Sequence, residues 1–211
     1  MGLLCFLVSD HEPRMQVLEN FFHGVYQEIC NRLEAELPEH VKYHTLQHTL
    51  DVLETSVMIG KEEQVSERDI MLLKIAALFH DTGYLVQRQE HEATSCRIFR
   101  SYADKTAIRE EDKLEIEDLI MATKIPQTPK NHLAQVLCDA DLDYLGRDDF
   151  KTISENLFLE LQAYKEVKDR EHWYSLQVWF LTKQMFFTNF SKANRSLKLA
   201  QNLEYAKTLC I

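Results

Sequence analysis

Apolar residues recur at spacings of three and four along nearly the whole chain, the pattern of helices that bury one face. Leu18, Phe21, Phe22, Val25, Ile29, Leu33 and Leu37 mark the inner face of a first long helix, which Pro38 stops. Leu46, Leu50, Leu53 and Val57 mark a second, expected to end near Gly60. Ser66, with Asp69 three residues on, predicts a capped start for a third, strongly apolar helix reaching His80, with Gly83 placed to terminate it. The same spacing predicts helices over 90–103, 110–123 and 130–145, the last two separated by the loop Ile125-Pro126-Gln127-Thr128-Pro129. Beyond Gly146, helices fit 150–168, 173–187 and 193–209. No segment shows the strict alternation of a half-buried strand, and no repeat of fixed period is present. The expectation is an all-α protein, one compact helical domain over 1–211. A site-bearing part at about 40–146 would be covered by C-terminal helices at about 147–211.

Composition narrows the picture. Five glycines and four prolines in 211 residues are too few for an all-β sandwich full of tight turns. A chain that is 45% hydrophobic and 27% charged folds as a globular protein. The net charge of -10 argues against duplex nucleic acid, whose phosphates demand a surplus of Lys and Arg. Cys5, Cys30, Cys96, Cys138 and Cys210 are scattered and form no Cys-x-x-Cys pair, which argues against a thiolate zinc site and for a reducing compartment. The apolar start Gly2 to Val8 is short, lacks a basic flank and runs into Asp10, unlike a signal peptide. Phe6 breaks the myristoylation pattern. No other stretch is long enough to span a bilayer, so a cytoplasmic protein without membrane partners is expected.

Candidate chemistry lies in the histidines and aspartates. His44 and His48 are four apart, so a helix beginning near Tyr43 puts them on one face. His80 and Asp81 close the most apolar helix. Asp141 lies beside the core-facing Leu137, Ala140 and Leu145. A histidine–aspartate pair at a helix end also arises as a cap with a solvated neighbour. A carboxylate on a core-facing stripe, however, needs its charge compensated. A divalent cation does so, and imidazole with carboxylate suits Zn, Mn, Fe or Mg.

At these residues the chain resembles the HD superfamily of metal-dependent phosphohydrolases, whose pattern is a histidine, a later His-Asp doublet and a distant aspartate. His48, His80-Asp81 and Asp141 match it one by one. Ala76 to Tyr84 and Asp139 to Gly146 look like a branch of small HD phosphohydrolases, and Tyr43-His44-Thr45-Leu46-Gln47-His48 is similar to the cyclic nucleotide phosphodiesterase signature, with Thr45 replacing its asparagine. The resemblance covers about 40–146. It implies an all-helical fold and one or two divalent ions per chain (Mn, Mg, Zn, Fe, Co or Ni), held by His48, His80, Asp81 and Asp141, with Asp81 able to bridge two ions. Asp139 is the rival of Asp141, which is preferred because the ligand in related motifs directly precedes the leucine. His44 matches the position that protonates the leaving oxygen, and Glu92 one that orients water. Glu92 and Ser95 together match a Glu-x-x-Ser block. His91 stands where some two-metal relatives carry an extra ligand. Lys124, in a Thr-Lys block, is a candidate for substrate phosphate; the family's histidine shortly after it is replaced here by Ile125, Pro126 and Gln127.

The activity implied is metal-dependent hydrolysis of a phosphomonoester or phosphodiester, of a nucleotide in the first instance, by a metal-activated water. The alternatives are a di-iron oxygenase of HD type, which needs more histidine ligands, and a non-catalytic nucleotide-binding module. His11, His23, His40, His132 and His172 are assigned surface or structural roles. The aromatic stripe Trp173, Trp179, Phe180, Phe186, Phe187 and Phe190 is assigned to the core or a homodimer interface.

Overall fold

The computed structural model describes residues 11–210, with side chains from residue 14 onward. The apolar start at 2–8, Cys5 and the His11 side chain therefore lie outside the described residues. Nine α-helices follow one another among the described residues, with no strand. They are α1 (His11–Glu36), α2 (Leu46–Glu62), α3 (Glu67–Phe79), α4 (His91–Ala103), α5 (Glu110–Ala122), α6 (His132–Asp141), α7 (Phe150–Ala163), α8 (Arg170–Lys183) and α9 (Asn189–Thr208). Two short 3-10 turns, Thr82–Leu85 and Asp143–Gly146, follow α3 and α6.

α3 is the axis. Met71 to Leu73 and Ile75 to Phe79 are all buried, so the helix has an apolar surface on nearly every side. It packs against α1, α2, α4, α5 and α6. Ser66 caps its start by accepting from Asp69 N, as the spacing predicts. The main core gathers around it, with Phe21, Phe79 and Phe99 in mutual edge or stacked contact. A second apolar cluster joins the 3-10 turn at 143–146 to α7, α8 and α9 through Tyr144, Leu145, Phe150, Leu181 and Leu199. Of the aromatic stripe, Trp173 and Phe186 are buried, whereas Trp179 is 54% exposed.

Buried polar groups fix how the C-terminal helices dock. Asp139 accepts from Phe187 N, Thr188 N and Thr188 Oγ1, which ties α6 to the start of α9. Asp143 pairs with Arg195 at 2.7 Å, and Asn202 donates to Leu145 O and Arg147 O. Each of these groups would be costly if left unpaired in the interior.

Several helix ends depart from the expected ones. Gly60 does not end α2, which runs two residues further to Glu62. A Cβ there would lie 2.7 Å from Ile70 Cδ1, so the glycine serves close packing of α2 on α3. Gly83 is not the stop of α3 either; it sits in the following 3-10 turn, where a Cβ would lie 2.0 Å from His91 O. The helix expected over 130–145 is shorter and breaks at Leu142, leaving Asp141 as the last residue of α6. The segment expected as 150–168 ends at Ala163, and α8 and α9 each begin a few residues earlier than expected, where Asp169 and Thr188 cap them. No helix among the described residues is long and apolar enough to cross a membrane.

The two glycines separate in a thermal unfolding experiment. In Gly60→Ala the new methyl meets side-chain ends that rotate, and helix propensity gains up to about 1 kcal/mol, so stability stays within about 1 kcal/mol of the parent. In Gly83→Ala the methyl meets backbone, and a loss of about 3 kcal/mol, or several degrees in Tm, is expected. Equal losses in the two variants would show that the backbone approach at Gly83 is not tight.

Candidate metal centre

Three helix ends deliver the predicted ligands to one point. His48 projects from the first turn of α2, His80 caps the C-terminus of α3 with Asp81 next to it, and Asp141 closes α6. His48 Nε2 lies 3.4 Å from His80 Nε2, 3.4 Å from Asp81 Oδ2 and 3.3 Å from Asp141 Oδ1. His80 Nε2 lies 3.1 Å from Asp81 Oδ2 and 3.6 Å from Asp141 Oδ1. One atom each of His48, His80 and Asp141 fall within 4.8 Å of one another, the spacing of a metal-holding group. Ligand bonds of about 2.1 Å put neighbouring ligand atoms about 3.0–3.4 Å apart, close to these separations.

The donor chemistry also fits an ion. His80 Nδ1–H donates to Ala77 O at 2.8 Å, which turns Nε2 towards the cluster. Asp81 Oδ2 is buried and accepts no hydrogen bond, although two imidazoles lie beside it. Burial pulls the His48 and His80 pKa values down, but the neighbouring Asp81 and Asp141 override this and leave both raised. Burial raises the carboxylates in turn, and the imidazoles reverse it. The charges of His80 and His44 take Asp81 well below the usual range; hydrogen bonds with His48 and His80 bring Asp141 to about 2. Without an ion, protons on the histidines hold the aspartates; a divalent cation would take their place.

The turn carrying His80-Asp81 is held in shape. Thr82 Oγ1 donates to Phe79 O, and Gly83 N donates to Ser95 Oγ on α4, which gives the Ser95 of the Glu-x-x-Ser block a definite job. The close approach at Gly83 brings the start of α4 to the cluster. His91 Nε2 thereby lies 3.3 Å from Asp81 Oδ1, the oxygen turned away from His48 and His80, and 3.5 Å from the buried Glu92. Asp139 faces the opposite way, into the α8–α9 loop. Lys124 Nζ is ion-paired with Glu90 at 2.6 Å at the rim.

His44 does not share a helix with His48, contrary to expectation. α2 begins at Leu46, and His44 stands in the turn before it. It is held by Glu160 of α7, a residue the sequence reading missed. Fully buried, Glu160 accepts from the backbone N–H of Lys42, Tyr43 and His44 through Oε2, while Oε1 lies 2.5 Å from His44 Nδ1. Burial raises the Glu160 pKa, and the bond to His44 more than reverses it. Tyr84 stacks on the His44 ring at 4.2 Å, with its hydroxyl 3.3 Å from Nε2. Gln127, also missed, donates to Asp141 Oδ2 at 3.0 Å, from the loop between α5 and α6. His23, His40 and His172 are exposed, and His132 lies at the surface beside Glu63.

The cluster opens into a cavity of about 450 Å³ that reaches α7 and α8. Residues 45–143 match the family model of the HD domain. That segment, 45–143, belongs to the HD superfamily, whose members bind divalent metals and are generally metal-dependent hydrolases. No curated protein matches the chain.

The raised imidazoles give a pH dependence with a definite sign. Their pairing stabilises the metal-free protein fully below about pH 6.5, and that contribution is lost as the pH rises through the raised folded values. Metal binding requires neutral imidazoles, so the gain in Tm on adding zinc or manganese to chelated protein should grow from about pH 6 to pH 8. An identical Tm with and without metal across that range would exclude the centre.

Proposed function

We propose that the protein is a metal-dependent phosphohydrolase that cleaves a small phosphomonoester or phosphodiester. The observation that carries this reading is the juxtaposition of four ligand side chains, His48, His80, Asp81 and Asp141, with a separately anchored histidine, His44, at one end of a cavity. One or two divalent ions bound there would polarise a phosphoryl oxygen and lower the pKa of an attacking water towards neutrality. The position of His91 beside the second oxygen of Asp81 supports room for the second ion.

The chain's own residues supply the rest. Glu160 fixes the His44 ring with Nδ1 towards its carboxylate and Nε2 beside the Tyr84 hydroxyl at the cavity wall, from where the protonated ring would hand its Nε2 proton to the departing alkoxide. Glu92, buried beside His91, is suited to orient water. Gln127 keeps Asp141 turned towards the histidines. Lys124 reaches a phosphoryl group only by giving up its pair with Glu90.

His44 and His48 have separable roles on this reading. His48→Ala should lose bound metal and with it activity. His44→Ala should keep metal and fold but lose about a hundredfold or more in kcat for an alkyl ester, and much less for a nitrophenyl ester, whose leaving group needs no proton. Glu160→Gln keeps an acceptor for the three backbone N–H groups and should fall between parent and His44→Ala, with the same dependence on leaving group. Metal analysis and turnover on two leaving groups check all three. Metal loss in His44→Ala equal to that in His48→Ala would remove His44 from the acid role.

A further inference from the structure

The cavity is not uniform. Part of its wall is charged; another part is built from Leu145, Leu157, Leu161, Trp173, Leu176 and Phe180. Most of this second wall comes from α7 and α8, outside the segment that matches the HD domain. A volume of about 450 Å³ lies within the range of small-molecule sites.

The charges along the wall limit what enters. Asp81, Glu90, Glu92, Asp141 and Glu166 face the cavity, against Arg88 and Lys124 as its Lys and Arg residues among the described ones. Both cations are already held: Arg88 by Glu166, with its guanidinium over the Tyr164 ring, and Lys124 by Glu90. A di- or triphosphate would have to displace these carboxylates, or rely on the one unpartnered donor, Arg88 Nε, to meet its further charges. The side-chain amides lining the cavity are those of Gln89 and Gln177; Gln177, on α8, is buried and donates to Ser154 Oγ. The edge of a nucleobase would bury several donors and acceptors there, each costly without a partner.

We infer that the substrate carries a single phosphoryl group on an uncharged hydrocarbon group, and that the apolar chamber of α7 and α8 holds the hydrocarbon while the phosphoryl group meets the metal centre. The inference rests on the phosphohydrolase reading for the reaction, and on the chamber alone for the chemistry of the bound group.

The chain has two tryptophans, Trp173 and Trp179, and both line this cavity, so intrinsic fluorescence reports its occupancy directly. Methyl-, butyl- and hexylphosphonate should bind the manganese-loaded protein with affinity rising at least tenfold from methyl to hexyl; full burial would give about fourfold per methylene. The p-nitrophenyl diesters with the same alkyl groups should show the same rise in kcat/KM, and the hexyl diester should exceed p-nitrophenyl thymidine 5′-phosphate. Leu176→Asp should cut the hexyl-to-methyl ratio at least tenfold, and Leu161→Asn, on the other helix, repeats the test if the first variant does not fold. Rising phosphonate affinity without turnover of any ester would overturn the phosphohydrolase reading and leave the chamber standing. Turnover with no chain-length dependence, or a nucleoside ester that outruns the hexyl one, would overturn the chamber.

Discussion

Two imidazoles and two carboxylates meet inside the protein at the wall of a cavity, and the rest of the molecule is arranged around that concentration of charge. Buried ions are unfavourable unless compensated by partners close at hand. Here His48, His80, Asp81 and Asp141 compensate one another, but incompletely: Asp81 Oδ2 accepts no hydrogen bond. The ends of three helices converge on the cluster, and α3 reaches it because its apolar surface lets it run through the centre of the protein. The most hydrophobic helix thus ends in the most polar place, and each property requires the other. A solvated helix could not carry its C-terminus inside, and an uncharged end would leave nothing to bind.

Apolar packing is non-directional and does not by itself fix the register of one helix on another. The C-terminal helices are registered by carboxylates instead. Asp139 holds the start of α9, Asp143 holds Arg195, and Glu160 gathers the backbone of 42–44. The Glu160 contact has a double effect. It closes α7 onto the turn before α2, and it sets the ring of His44 through the same carboxylate. Docking of the C-terminal part and the geometry of the site are therefore one event.

Helical spacing made the elements legible, because every helix but the axis has a polar face that breaks the apolar run at intervals of three and four. The convergence of His80-Asp81 and Asp141 was legible because they sit where an unpaired charge would be penalised. What depended on tertiary neighbours was not. Gly60 and Gly83 read as helix stops, yet each serves a close approach to another segment, which no local pattern encodes. The interval between His44 and His48 suggested a shared helix face; the anchor of His44 lies 116 residues away. Glu160 left one trace, an acid at the three-and-four spacing of Leu157 and Leu161, where an apolar residue belongs. Gln127 left none, since a glutamine in a loop is unremarkable until Asp141 is seen beside it. His91 stands at the Asp81 carboxylate because Gly83 lets α4 begin there, so its position follows from a contact and not from its own surroundings in the chain.

The division of the cavity follows the division of the chain. Every residue of the ligand cluster comes from 45–143, the segment shared with other HD domains, whereas the apolar wall comes mainly from α7 and α8. On the proposed reading, chemistry and selection of the organic group are carried by different stretches of sequence, and they touch at two places. One is the 3-10 turn at 143–146, which follows Asp141 directly and lends Tyr144 and Leu145 to the wall. The other is Glu160, which stands on the same helix as Leu157 and Leu161 and anchors His44. A group seated against α7 lies beside the element that aims His44. On the proposed reading, the orientation of the bound ester and the position of the proton that completes its cleavage are thereby set by a single helix.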